Sequence, residues 1–347
     1  MLLKLYLAYN QRSIYKIPLI MLRPVPLIIT LLMLSIITFA TAFTTGSISL
    51  SISEIWATFT SDEPAIAHTI IWDLRAPRAY IAFVTGGLLS LAGVLMQVLL
   101  RNPLADPYIL GVSGGASVAT LIAMLLGISG SWLSGSAFIG ALISILLVFG
   151  LSHGKGSWNP TRLLLTGVVI AAGWGAMINF ILSITPDKPL RGMLFWLMGD
   201  INHVNIELSP LIVLVIGVLI SFALARQLNI LSRGDLQASA LGVSVSSLRI
   251  SLFLLASLLT AFAVTQTGSI GFIGLIVPHM LRLLSGSDHR LLIPASVLLG
   301  GNLLLISDTL ARTIVAPHQL PVGVITAFIG VPFFLFLLNR NFQRQTA

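Results

Sequence analysis

The chain contains no cysteine. Disulfides, thiolate metal sites and cysteine nucleophiles are excluded together. Charge is almost as scarce. Asp, Glu, Lys and Arg make up 9% of the 347 residues, where a soluble domain carries about 25%. Acids are the rarer kind, 11 against 19 bases, and the formal net charge is +8. This poverty of charge excludes a soluble globular enzyme. What fills the chain instead is apolar: 56% of residues are hydrophobic and the mean hydropathy is +1.00. A bilayer core about 30 Å thick takes ~20 apolar residues per helix, which leaves room for about ten spans.

Apolar runs between charged or Pro/Gly-rich breaks predict those spans. They fall at 24–43, 79–100, 108–127, 135–152, 163–184, 209–225, 250–267, 271–284, 291–311 and 322–338. The fold class is therefore an all-α polytopic membrane protein. The eighth run is short and interrupted by Gly271, Gly274 and Pro278. Loose backbone is tolerated in a membrane only under cover of protein or water, so this segment is expected to be buried. The first run follows a basic leader and ends in Ala40-Thr41-Ala42, which resembles a signal peptide. The leader is long and the run spans a bilayer, so it reads as a retained anchor. The organisation is thus a leader (1–23), one ten-helix domain (24–340) and a tail (341–347).

Ten spans put both termini on one side. Fourteen of the 19 Lys and Arg fall there, and five on the other: Arg75, Arg78, Lys188, Arg191 and Arg312. Lys/Arg excess marks the cytoplasm. In a soluble chain +8 would point to nucleic acid; here it is the asymmetry of a membrane protein. Both termini are expected inside a bacterial cytoplasmic membrane.

Motifs for chemistry are sparse. Gly150-Leu151-Ser152-His153-Gly154-Lys155-Gly156-Ser157 looks like a phosphate loop, but three residues separate its glycines and Gly156 follows the lysine. A P-loop needs four, then Ser or Thr. No nucleotide site is expected in this chain. The six histidines are scattered without metal-ligand spacing, so no metal is expected. Asp308 is the one acid inside a span. Intramembrane acids are functional candidates, but Arg312 lies at i+4 and can pair with it. Gly111, Gly115 and Ala119 repeat every four residues, as do Gly167, Ala171 and Gly175. Such stripes let helices approach closely. The fifth span also carries Thr166, Asn179 and Ser183, a mildly polar face suited to the wall of a translocation path. The longest inside loop, 226–249, holds Asp235-Leu236-Gln237-Ala238-Ser239-Ala240-Leu241, helix formers that stop at Gly242.

From residue 24 to 340 the chain resembles the permease subunits of bacterial ABC importers for iron–siderophore complexes, haem and cobalamin, the type II importer fold. The resemblance rests on Leu74-Arg75-Ala76-Pro77-Arg78, Gly93-Val94-Leu95-Met96-Gln97 and Arg101-Asn102-Pro103-Leu104-Ala105-Asp106-Pro107. It continues in Gly271-Phe272-Ile273-Gly274-Leu275-Ile276-Val277-Pro278-His279, Asp288-His289-Arg290 and Leu320-Pro321-Val322-Gly323-Val324. It implies a second permease, identical or not, two ATP-binding subunits that carry ATP and Mg, and a periplasmic binding protein. This chain would bind no cofactor and break no covalent bond. By position, Arg75, Arg78 and Arg312 resemble the cations that receive the binding protein's acids. Asp235, Gln237, Ala238, Leu241 and Gly242 resemble the coupling helix seated in the ATPase. Arg233, just before it, stands where relatives often have an apolar residue. Asn102 and Leu104, with Pro160 and Thr161, resemble a cytoplasmic gate. An iron–siderophore is the expected cargo, with cobalamin or haem as alternatives. An ion-coupled secondary transporter is the reading from another class; it would need more intramembrane charge and inverted repeats.

Overall fold

So few charges leave the backbone polar groups to be satisfied within the chain, and in a bilayer helices do this segment by segment. The computed structural model describes residues 23–46, 66–152, 160–201 and 207–345, with side chains to 336. Among these, thirteen helices are formed. They are α1 (Pro24–Thr44), α2 (Ile66–Leu99), α3 (Val112–Leu125), α4 (Ser131–Ser152) and α5 (Pro160–Ile184). Then come α6 (Asp187–Leu197), α7 (Ser209–Ala223), α8 (Ala225–Leu231) and α9 (Asp235–Ala240). The last four are α10 (Val245–Thr267), α11 (Ile273–Ser285), α12 (His289–Thr313) and α13 (Val322–Gln345).

Six of these are long and apolar enough to cross a membrane, and the bent pair α7–α8 makes a seventh. The shorter apolar helices at 112–125, 273–285 and 322–336 bring the number to ten. The span count expected from the sequence therefore holds.

α2 is the axis of the bundle. Every residue from 84 to 99 is buried, against α10, α11 and α12. Glycines set the distances. A methyl group on Gly86 would collide with the Gly300 carbonyl, and one on Gly93 with the Gly274 carbonyl. Helices without a hydrophobic drive between them pack through such small residues and through polar clasps. One clasp ties α1 to α12: Thr38 Oγ1 donates to Asn302 Oδ1 at 2.8 Å, and Asn302 Nδ2 donates to Ser35 Oγ at 3.0 Å. The stripe at Gly111, Gly115 and Ala119 also serves packing, since Gly115 and Ala119 lie against Gly140 of α4.

Several boundaries differ from the sequence reading. The second span begins at Ile66, not 79, because Thr69–Arg75 forms a wide π-type turn that carries the charged motif inside the helix. The third span is broken at Gly111 (φ 71°): a 3-10 turn, Pro107–Leu110, precedes α3. The sixth bends by 60° into α8. What read as a loop over 226–249 is thus α8, α9 and the start of α10. The amphipathic helix α6 was missed, since its charges masked its apolar face. The eighth run is helical only from Ile273 and is largely buried, as its broken pattern requires. The leader 1–23 lies outside the described residues except for Arg23, and the 153–159 turn lies outside entirely.

Candidate functional site

At the Lys/Arg-poor end, the three singled-out arginines converge on α12. Asp308 is fully buried. Arg78 grips its carboxylate through Nε at 2.9 Å and Nη2 at 2.8 Å, and Arg312 Nε donates to Oδ2 at 3.2 Å. Arg78 Nη1 also donates to Gln319 Oε1 at 2.9 Å. Arg75 is buried and donates to the Phe43 carbonyl. The expected Asp308–Arg312 pair is present, and Arg78 joins it. Among the described residues, one carboxylate between two guanidiniums leaves the cluster net positive, and the fork geometry of arginine fixes it in place. The side chains of Arg78 and Arg312 are only 11% and 8% exposed. The sequence pattern did not signal that burial.

At the Lys/Arg-rich end, α9 stands out from the bundle. Leu236 and Leu241 are 89% and 67% exposed, and Gln237 is exposed beside them. Ala238 is fully buried, so it anchors the helix and offers no outer contact. Gly242 closes the helix at φ 79°. Asp235 turns back: Arg249 Nη2 donates to it at 2.8 Å, and Arg101 forms a second ion pair with it. Arg101 precedes Asn102. The protruding helix and the 101–107 segment are therefore joined by one carboxylate, a link that spacing did not reveal. Burial, and then repulsion from Arg249, lower the Arg101 pKa.

The 101–107 segment is a stiff turn. Asn102 Oδ1 accepts from Leu104 N at 2.9 Å, and Asp106 Oδ1 accepts from Tyr108 N at 2.8 Å, capping the 3-10 turn. Burial pushes the Asp106 carboxyl up to about 6, against the pull of that hydrogen bond. Asn102 is exposed and Leu104 half-buried; Pro160 and Thr161 open α5, half-buried and exposed respectively.

α5 is the least covered long helix among those described: only Leu163, Gly167 and Ile181 of its 25 residues are buried. One edge packs tightly. Gly167 meets the Ile109 carbonyl, and Trp174 Nε1 donates to Ser144 Oγ at 3.0 Å. The rest is open. Asn179 and Ser183 are exposed and Thr166 half-buried, while a methyl group on Gly173 or Gly175 would meet nothing within 4 Å. The small stripe thus splits, its start used for packing and its end left free. A second open surface lies where the chain breaks between α10 and α11. Val322 N donates to the Gly199 carbonyl at 3.1 Å and Asp200 N to the Thr267 carbonyl at 2.9 Å. Beside this knot is an apolar cavity of about 550 Å³, lined by Met198, Phe272, Phe328 and neighbours.

Ten apolar spans, with one long small-residue face uncovered and a helix projecting at the cation-rich end, describe a polytopic membrane protein. The chain belongs to the FecCD transport family, whose family model matches residues 31–340. It is 40% identical to the hemin transport system permease protein HmuU of Yersinia pestis over 312 residues, covering 87% of this chain and 91% of that protein. It is also 40% identical to the Fe(3+) dicitrate transport system permease protein FecD of Escherichia coli, covering 79% and 86%. The vitamin B12 import system permease protein BtuC of Vibrio vulnificus is 37% identical, covering 85% and 90%. Among solved structures, an inward-facing conformation of a metal-chelate type ABC transporter matches with a TM-score of 0.80 and 31% identity, over 90% of this chain and 98% of that one. The chain is an ABC importer permease, a multi-pass membrane protein.

Proposed function

We propose that this permease forms, with a second copy or a close relative, the path by which an iron–siderophore complex enters a bacterial cell. The observation that carries the reading is the open face of α5, small and mildly polar, in a chain of the FecCD transport family that is similar to a metal-chelate type ABC transporter. Of the relatives above, FecD is named for ferric dicitrate, HmuU for hemin and BtuC for vitamin B12; the first of these is the kind of cargo proposed here. Thr166, Asn179 and Ser183 then line the path. Asn102, Leu104, Pro160 and Thr161 close it toward the cytoplasm.

The charge asymmetry supports placing the Lys/Arg-rich end and both termini in the cytoplasm of an inner membrane. ATP and Mg sit in two separate ATPase subunits, whose groove receives α9 through Gln237, Leu241 and the adjoining Leu236. Asp235 and the Gly242 stop hold that helix at its two ends. The net positive Arg78–Asp308–Arg312 cluster, with Arg75 beside it, attracts acidic groups on a periplasmic binding protein. Docking releases cargo into the path; ATP binding tilts α9; and the Asp235–Arg101 link carries that tilt to the gate segment.

The test is uptake. A deletion strain, with and without a plasmid copy, is given radiolabelled ferric siderophores, haem and cobalamin. Loss and restoration of a ferric siderophore alone is the expected result. Loss of haem or cobalamin instead reassigns the cargo, and co-purification of no ATPase subunit removes the ATPase-docking role of α9.

A further inference from the structure

At the Lys/Arg-rich end, under the buried axis α2, lies a cavity of about 590 Å³. Arg101, Arg233, Arg282, Asn229, Asp288 and His289 are on its wall. The charges do not balance. Arg282 is half-buried and bonds the neutral Gln97 amide oxygen. Among the described residues, neither Arg282 nor Arg233 has a carboxylate within 4.0 Å. Arg101 already shares Asp235 with Arg249. Asp288, the one acid on the wall, is occupied by Asn229 Nδ2 at 2.8 Å and Arg290 N at 3.0 Å. Those bonds hold its pKa below the usual carboxylate value.

His289 is 1% exposed. Its backbone N donates to Asn229 Oδ1 at 2.9 Å, which identifies that oxygen as an acceptor, so Nδ1 donates to it too, at 2.6 Å. Nε2 is then a buried acceptor without a partner among the described residues. The cavity thus offers the half-buried Arg282 and the exposed Arg233, neither with a carboxylate among the described residues, while His289 Nε2 is sealed from solvent. Such a wall suits an anionic group.

Outside the described residues and side chains, the stretches 1–22, 153–159 and 337–347 contain no Asp or Glu. A half-buried guanidinium without a counter-charge, as at Arg282, is costly, and an anion from another molecule offsets that cost. The surroundings say which. Residues 84–99 of α2 are covered on all sides by protein, which keeps acyl chains away from above. Ser232 and Arg233, on the cavity wall, run directly into α9.

We propose that this cavity receives an acidic side chain of the ATPase subunit, as a second contact beside α9. The inference rests on the importer reading above. Arg282 and Arg233 take the carboxylate.

The absence of cysteine makes the test direct, because Arg233→Cys introduces a single thiol. The full chain is co-expressed with its ATPase subunit and purified as the complex. Maleimide labelling of Arg233→Cys is expected to slow at least about tenfold in the complex relative to the permease alone, and Arg233→Glu to weaken ATPase binding by a similar factor. A Glu→Lys or Asp→Lys change on the ATPase surface restores binding to Arg233→Glu. Arg282→Gln acts in the same direction and Arg282→Lys retains binding; if Arg282→Gln does not fold, the Arg233 variants decide alone. Equal labelling rates with and without the ATPase overturn the proposal. So does unchanged ATPase binding by Arg233→Gln accompanied by loss of an anionic phospholipid in native mass spectrometry, which assigns the cavity to a headgroup. A wild-type chain that brings down no ATPase instead overturns the ATPase docking of α9 on which the proposal stands.

Discussion

Asp308 carries more than its neighbours. It is fully buried and serves two guanidiniums. Removing one partner from a buried pair leaves an uncompensated charge and costs about 3–5 kcal/mol. Asp308→Ala is therefore expected to lower thermal stability in detergent by that amount, and Arg78→Ala by less, since Arg312 still covers the carboxylate. An unchanged melting temperature for Asp308→Ala would show that the cluster is not structural. The same burial changes how binding-protein docking is tested: Arg78→Glu sets two carboxylates together and disturbs the fold, so Arg78→Gln is the cleaner probe. Gly93 is a second such position. A methyl group there meets the Gly274 carbonyl, and Gly93→Ala is expected to destabilise by about 1–3 kcal/mol, the usual range for overpacking, measured by the same unfolding assay. The arginine motif was legible in the sequence as residues, but its pairing with a residue 230 positions away was not, because periodicity reports one helix at a time.

At the scale of elements, α9 and the turn before α3 are the informative pair. Leu236 lies almost wholly in solvent, so Leu236→Ser is expected to change stability by less than about 0.5 kcal/mol while reducing ATPase co-purification. Asp235→Asn, by contrast, removes the link between α9 and Arg101. ATP hydrolysis should continue while uptake falls, which parallel assays on proteoliposomes would show. In the turn, the Asp106 pKa is raised from 3.8 to about 6. A raised acid pKa means that ionisation opposes folding. Stability is fully present below about pH 4 and is lost as pH rises through about 6. Asp106→Asn should flatten that fall in a melting series from about pH 4 to pH 7. Helix α9 was legible from its helix formers and its glycine stop. Its anchoring by Ala238 was not, since one alanine in a run of small residues carries no sign of which way it faces.

At the scale of the molecule, the bundle is closed around α2 and open along α5. Residues 84–99 are all buried, yet α5, equally apolar, buries three residues. Burial of apolar area cannot separate these roles inside a bilayer, because lipid is as apolar as a neighbouring helix. Close packing of glycines separates them: Gly86 and Gly93 of α2 and Gly300 of α12 meet backbone, while Gly173 and Gly175 on α5 meet nothing within 4 Å. Bulky substitution at Gly173 should therefore leave the fold stable and reduce assembly with a second permease or passage of cargo, read by cross-linking and uptake together.

The sequence by itself determined the solvent this chain lives in, the number of its spans, the asymmetry of its charges and its family. All of these depend on local composition and on motifs read along the chain. The tertiary structure alone decided which charges meet: Arg78 with Asp308, Arg101 with Asp235, and Arg282 with no carboxylate among the described residues. It also decided that the broken segments at 198–200, 267–272 and 321–323 lie together. Those facts depend on distances between residues far apart in the chain, which glycine contacts and the bend of a helix set.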